Sequence, residues 1–173
     1  MKPYFILLVG IPGSGKSSWA LKILNADTQI VCPDNIRRGI GDNISDQFVN
    51  TEVWAIAKQR VIDYLNSGKN VILDATNINT LYRQDFMEGL PDCTLIAKLF
   101  AIEPEVAYER IQKDLKSKDR ADVPEHVVYR MYGEFLYTAK IIENEGFEVT
   151  LIENVSDWSE DIEESRKRFG TYA

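Results

Sequence analysis

The sequence predicts an α/β fold in which a central five-stranded parallel sheet is flanked by helices. Short apolar runs of strand length alternate with helix-like segments along all 173 residues, and consecutive parallel strands need such crossover segments between them. No internal repeat and no linker-like stretch interrupts this alternation. We therefore expect residues 1–173 to form a single domain.

The strands are predicted from runs rich in Val, Ile, Leu and Phe, which are typical of strands buried on both faces of a parallel sheet. Residues 4–9 form an uninterrupted apolar run, and residues 94–100 form the longest of the other runs. Shorter runs lie at residues 28–32, 71–73 and 147–152. The first four strands in chain order, at residues 4–9, 28–32, 71–73 and 94–100, lead into glycine-rich or polar segments. We therefore expect functional residues at the ends of these strands.

The helices are predicted from apolar spacing of about 3.6 residues and from residues that favour helix ends. Pro33 and Pro124 suit the first turn of a helix, Gly39 and Gly41 suit a helix end, and Ser156 is a candidate N-cap. The predicted helices are residues 18–24, 33–38, 51–66, 79–89, 105–115, a segment starting at 124, and 156–169.

Residues 10–17, Gly-Ile-Pro-Gly-Ser-Gly-Lys-Ser, match the phosphate-binding loop (P-loop) pattern in its expected context of strand, loop and helix. We expect its three glycines to adopt positive φ and to turn N–H groups inward, where the helix adds the positive end of its dipole. Lys16 then reaches the β- and γ-phosphates, and the Ser17 hydroxyl holds Mg²⁺. The motif predicts binding of a nucleoside triphosphate, with contacts from Gly10, Pro12, Gly13, Ser14, Gly15, Lys16, Ser17 and Ser18.

Three further residues follow the second and third predicted strands. Asp74 ends the third strand, where it either holds Mg²⁺ through water, bonds to Ser17, or caps the next helix or turn. Asp34 follows the second strand and is the candidate catalytic base, with a helix-capping role as the alternative. Arg37, one turn beyond Asp34 on the same helix face, is placed to clamp an anionic group of the acceptor.

A polar segment at about residues 116–123 carries Lys116, Lys118 and Arg120. We expect it to act as a short Lys/Arg lid that closes over the triphosphate and neutralises charge on the transferred group. The alternative is an ordinary solvated loop. Arg110, on the preceding helix, is expected to face the donor base or an α-phosphate.

The bulk composition limits the partners. The apolar content is 45% and the net charge is −7 at pH 7, which is typical of a globular domain and argues against a wide basic surface for duplex DNA. Cys32 and Cys93 show no metal-ligand spacing and do not suggest a disulfide framework. The first predicted strand begins almost at the N-terminus and no run is long enough for a membrane span, so we expect a cytoplasmic protein.

Four segments together give a more specific indication: GIPGSGKSSWA at 10–20, PDNIR at 33–37, VILDATNIN at 71–79 and DVPEHVVYRMY at 122–132. They resemble the kinase domain of the bacteriophage polynucleotide 5′-hydroxyl kinase family, an adenylate-kinase-like group, over roughly the first 150 residues. The resemblance implies a P-loop kinase fold with a lid, and ATP and Mg²⁺ as cofactors. It also implies transfer of the γ-phosphate to the 5′-hydroxyl of a polynucleotide.

The same resemblance assigns roles to individual residues. It makes Lys16 and Ser17 ligands of the triphosphate and Mg²⁺, Asp34 the general base, Arg37 the contact to the acceptor 3′-phosphate, and Thr76 part of the acceptor site. Each of these roles is implied by the family and matches a motif position of this sequence.

The sequence departs from the family pattern around the base, where Pro33 and Asn35 stand in place of an Arg and a second Asp. The lid segment is also longer, so Arg120 and Lys118 compete for the role of lid cation. Two alternatives remain open: a P-loop kinase of a small-molecule or modified-base hydroxyl, and a regulatory NTPase or binding module.

Overall fold

The computed structural model describes residues 2–40, 47–117, 122–153 and 158–170. Within these ranges, strands and helices alternate as the sequence predicts. The strands are β1 (Tyr4–Val9), β2 (Thr28–Val31), β3 (Asn70–Leu73), β4 (Thr94–Phe100) and β5 (Glu148–Ile152). The helices are α1 (Lys16–Ile23), α2 (Pro33–Ile40), α3 (Gln47–Asn66), α4 (Thr80–Met87), α5 (Pro104–Leu115), α6 (Glu125–Ile141) and α7 (Ser159–Phe169), with a short 3-10 helix (Ile142–Glu145) after α6.

The five strands form one parallel sheet in the order β2-β3-β1-β4-β5, which confirms the predicted fold class. β1 lies in the middle, with Ile6 paired to Ile72 of β3 on one side and to Ile96 of β4 on the other. Because all strands run in one direction, their carboxyl ends meet along one edge of the sheet. We call this edge the carboxyl edge.

Alternate residues of β1 enter two separate cores, as the two-residue period of a strand requires. Phe5, Leu7 and Val9 pack with α3, α4, α5 and α6 on one face. Ile6 and Leu8 pack with α1 and α7 on the other face. The sheet is therefore covered on both faces, and among the described residues no helix is both long and apolar enough to span a bilayer.

Several helix limits differ from the sequence prediction. α2 continues through Gly39 to Ile40, since a single helical glycine costs only about 1 kcal/mol relative to alanine. α3 begins four residues earlier than predicted, at Gln47. α7 begins at Ser159 with Trp158 as its N-cap residue. The predicted cap Ser156 and the predicted helix end Gly41 lie outside the described residues.

A buried ion pair joins α7 to the sheet. Lys98 Nζ lies 2.8 Å from Asp161 Oδ1, and the indole N–H of Trp19 donates to Asp161 Oδ2 at 2.7 Å. Both carboxylate oxygens are thereby satisfied by partners from two other elements. This terminal helix thus packs on its own sheet.

We expect Asp161→Ala to lower the free energy of unfolding by about 3–5 kcal/mol, because it leaves the buried Lys98 ammonium without a counter-charge. Chemical denaturation measures the loss. The control is Glu163→Ala on the same helix, where the pair with Lys167 is exposed (75% and 70% of the two side chains) and should matter little. A cost for Asp161→Ala no larger than that of the control contradicts the expectation.

Candidate active site

The loop at residues 10–17 turns sharply between β1 and α1. Gly13 and Gly15 have φ of 82° and 95°, the left-handed conformations that glycine adopts without a steric cost. Gly10 is outside that region, so the prediction of positive φ at Gly10 is wrong. Space requires this glycine instead, because a Cβ at position 10 would lie 2.7 Å from Ser14 Oγ and 3.2 Å from Phe100 Cβ.

Two distant segments pack directly on the outside of this loop. A Cβ at Gly13 would lie 2.6 Å from the carbonyl oxygen of Ala107 in α5. A Cβ at Gly15 would lie 2.6 Å from Cζ2 of the Trp158 indole, and that ring in turn makes an edge contact with Phe100. The loop is therefore enclosed by its neighbours on both sides.

Lys16 lies at the first position of α1 and is only 8% exposed. Its ammonium donates to the carbonyl oxygens of Gly10 and Ile11, both at 2.9 Å, and to Ser14 Oγ at 3.2 Å. The positive charge is thus held inside the loop, at the N-terminus of a helix whose dipole also favours an anion. Pro12 lies in the turn of the loop, and Ser18 is exposed in the first turn of α1.

Ser17 and Asp74 meet at the carboxyl edge. The Ser17 hydroxyl donates to Asp74 Oδ2 at 2.7 Å, and Asp74 is 8% exposed. Asp74 does not cap the next helix, because Asn79 takes that position and its side chain accepts from the backbone N–H of Tyr82 at 3.1 Å. A hydroxyl and a carboxylate are the hard oxygen donors that Mg²⁺ prefers, with phosphates and water supplying the rest. The donor set therefore fits Mg²⁺.

Asp34 and Arg37 form an ion pair on α2. Arg37 Nη1 lies 2.6 Å from Asp34 Oδ1, and Arg37 Nη2 donates to Asn50 Oδ1 of α3. The two partners differ in exposure, since the Arg37 side chain is 14% exposed and that of Asp34 is 76% exposed. The arginine is therefore anchored between two helices, while the carboxylate faces solvent.

Cys32, directly after β2, lies near both carboxylates. The pKa of its thiol is raised chiefly by burial, and the negative charges of Asp74 and Asp34 raise it further. Because both carboxylates act on one thiol, they lie at the same end of the sheet. The structure thus places the predicted base at the same end of the sheet as the Ser17–Asp74 pair.

Thr76 belongs to the segment between β3 and α4, which contacts the P-loop. Its carbonyl oxygen accepts from the Gly10 N–H at 3.1 Å. The next residue, Asn77, has a left-handed φ of 53°, and its side-chain amide donates to the Leu8 carbonyl at 2.7 Å. The predicted acceptor-site residue is therefore fixed to the end of β1.

Arg83 of α4 binds the same segment through its guanidinium. All five of its N–H donors are used. They go to both carboxylate oxygens of Glu145, the Asn77 carbonyl and the hydroxyls of Thr138 and Thr80. Thr138 then donates to the Ile78 carbonyl at 2.8 Å. This network fixes the backbone that carries Asp74 and Thr76.

The lid residues are only partly described. Lys118 and Arg120 lie outside the described residues, so their predicted roles remain predictions. On the described side, Arg110 is half-buried on α5, one turn after the Ala107 carbonyl that faces Gly13. The Gln112 side chain of α5 donates to Asp122 at 3.2 Å. This bond joins α5 to the end of the predicted lid.

Sequence reasoning did not single out Trp158 or Arg83 as parts of the site. Trp158 lies beyond the end of β5, and an aromatic residue after a parallel strand is a signal that could have indicated it. Arg83 stands in an ordinary helical pattern. Its role depends on Glu145, 62 residues away, and no local pattern predicts that contact.

Residues 5–136 match a protein-family model described as an AAA domain. A chain of the Pnkp1/Rnl/Hen1 RNA repair complex is 26% identical, with a TM-score of 0.70, over 80% of this chain and 46% of that chain. A second structure of the Pnkp1/Rnl/Hen1 complex gives 25% identity and a TM-score of 0.55, over 71% and 41% of the two chains. This chain thus spans less than half of those relatives.

Other structures match along nearly the whole length. A candidate kinase from Chloroflexus aurantiacus is 14% identical with a TM-score of 0.68, over 96% of both chains. A gluconokinase from Sinorhizobium meliloti 1021 is 17% identical with a TM-score of 0.62, over 96% of this chain and 93% of that chain. These likenesses establish the P-loop kinase-type fold. No curated protein matches the chain.

We expect Gly15→Ala to weaken nucleotide binding at least tenfold and to lower the melting temperature, because alanine is strained at a φ of 95° and its Cβ collides with Trp158. Titration with a fluorescent ATP analogue and thermal unfolding measure the two effects. The control is Gly39→Ala, where a Cβ has open space and helix propensity should be improved. Equal affinity in the two variants contradicts this account of the loop.

Proposed function

The chain belongs to the AAA domain family, and we propose that it is an ATP-dependent kinase that phosphorylates the 5′-hydroxyl of a polynucleotide. The observation that carries the proposal is the meeting of two halves of a phosphotransfer site at the carboxyl edge. Lys16, Ser17 and Asp74 form the donor half, and the Asp34–Arg37 pair forms the acceptor half.

In the donor half, the P-loop binds the phosphates of ATP through its inward N–H groups and the Lys16 ammonium. Ser17 and Asp74 would hold the Mg²⁺ that accompanies the nucleotide, and this ion supplies positive charge to the phosphate oxygens. Lys16 stabilises the charge that spreads over the transferred phosphoryl group. Arg110 and a lid cation, Lys118 or Arg120, complete this half.

In the acceptor half, Asp34 accepts the proton of the attacking hydroxyl. The hydroxyl oxygen forms the new bond to the γ-phosphorus, the bond to the bridging oxygen breaks, and ADP leaves. The exposed position of Asp34 lets a hydroxyl approach from solvent, and Arg37 keeps the carboxylate oriented. Since the transition state is loose, this positioning contributes more than basicity.

Three observations support a nucleic acid end as the acceptor. The similarity at 26% identity is to a chain of an RNA repair complex. The Arg37 guanidinium lies next to Asp34, the proposed catalytic base, and this position suits binding of a phosphate adjacent to the reacting hydroxyl. The net charge of −7 favours contact with one strand end over contact along a duplex.

We expect Asp34→Asn to lower kcat by about 10²–10⁴-fold, because the hydroxyl loses its proton acceptor, while ATP affinity is unchanged. Transfer of label from γ-³²P-ATP to a 5′-hydroxyl oligonucleotide measures kcat. Asp63→Asn, an exposed carboxylate on α3, is the control. Undiminished transfer by the Asp34 variant removes Asp34 as the base. If wild type labels only a small hydroxyl compound, the acceptor assignment is wrong.

We expect Arg37→Lys to raise KM for a 5′-hydroxyl oligonucleotide about tenfold, with little change in KM for ATP. A lysine ammonium cannot keep the bond to Asp34, the bond to Asn50 and a phosphate contact in one plane. Steady-state kinetics with each substrate varied in turn separate the two KM values. Arg38→Lys, at the exposed neighbouring position, is the control. An equal effect in both variants contradicts the assigned contact.

A further inference from the structure

A cavity of about 270 Å³ opens on the sheet face covered by α3, α4 and α6. It lies next to the segment that follows β3. Half of its lining residues are apolar, among them Leu7, Trp54, Leu73, Phe86, Met87 and Met131. The Trp54 ring is held in place by an edge contact with Phe86, with ring centroids 5.9 Å apart. The cavity therefore has one fixed aromatic wall and two adaptable methionines.

The cavity adjoins the acceptor half of the site. Thr76 lines it directly. Trp54 lies one helical turn after Asn50, the residue that accepts from Arg37, so both side chains lie on the same face of α3. A ligand bound against Trp54 is thus about one helical turn from the contact between Asn50 and Arg37.

The buried charged residue of the cavity offers an anion no unused donor. Arg83 lines it, but all five of its N–H donors are already used by protein groups. The other charged lining residues, Arg130 and Glu134, lie 4.0 Å apart and are both well exposed. A buried phosphate would therefore lack a free donor from Arg83, whereas an uncharged planar group needs none.

We infer that this cavity binds the nucleobase of the nucleotide that carries the acceptor hydroxyl. The inference rests on the proposed function and names what selects its substrate. The cavity is smaller than the roughly 300–1,000 Å³ of sites for drug-sized ligands, which suits one ring system. Base stacking on an aromatic side chain tolerates any base.

The test compares two single-stranded 5′-hydroxyl oligonucleotides that are identical except that one is abasic at its first residue. We expect kcat/KM of the 173-residue chain to be about 5- to 150-fold higher with the base present, the range that one stacked base supplies. Met131→Trp, which fills the cavity, should remove this preference. Leu136→Trp on the exposed side of the same helix should keep it. Equal rates for the two oligonucleotides with wild type overturn the inference.

A binding measurement keeps this inference distinguishable from the kinase proposal. We expect the oligonucleotide with the base, but not the abasic one, to quench the fluorescence of Trp54, and Trp54→Phe to lose that quench. Quenching without phosphorylation of either oligonucleotide leaves the cavity assignment standing and sinks the kinase proposal. Phosphorylation of both with equal kcat/KM and no base-dependent quench sinks the cavity assignment alone. Neither signal with wild type sinks both.

Discussion

The tight turn at residues 10–17 is the constraint on which the arrangement of the site depends. Its glycines at positions 13 and 15 have left-handed φ, and the space that a side chain would need at either position is taken by another element. α5 fills it at Gly13, and Trp158 fills it at Gly15. The shape of the loop is therefore fixed by packing of elements from far along the chain as well as by local conformation.

A second layer of polar contacts fixes the segment after β3. Because β3 is hydrogen-bonded to both β1 and β2, its end lies between the P-loop and Asp34. The buried Arg83 has no unused N–H donor, and its partners come from α4, α6, the 3-10 helix and the segment itself. A fully satisfied buried network of this kind is rigid. The network therefore fixes the position of the backbone that carries Asp74 and Thr76.

The sequence was sufficient where a local pattern carries the structure. The limits of β1 and β4 agree with the prediction because each is an apolar run between polar or turn-forming residues. The P-loop was also recognisable, although Gly10 is required by space and not by positive φ.

Contacts between distant segments were not predictable. Two buried ion pairs join residues 62 and 63 positions apart, namely Arg83 with Glu145 and Lys98 with Asp161. Nothing in the local helix and strand patterns distinguishes these charged side chains from others. Trp158 likewise acquires its place beside Gly15 only through the folded sheet. Helical and strand periods report which face is buried, but they do not report which buried polar groups meet.

The Asp34–Arg37 pair carries a cost that stability alone does not explain. The Nε of Arg37 is buried and has no hydrogen-bond partner among the described residues, and such a donor costs about 1–3 kcal/mol. Buried polar groups are usually satisfied, and exceptions concentrate where function sets the geometry. An arginine serving only to hold α2 against α3 would have no reason to keep its partner carboxylate 76% exposed. This geometry agrees with the proposed role of the pair, in which Asp34 is presented to an incoming hydroxyl.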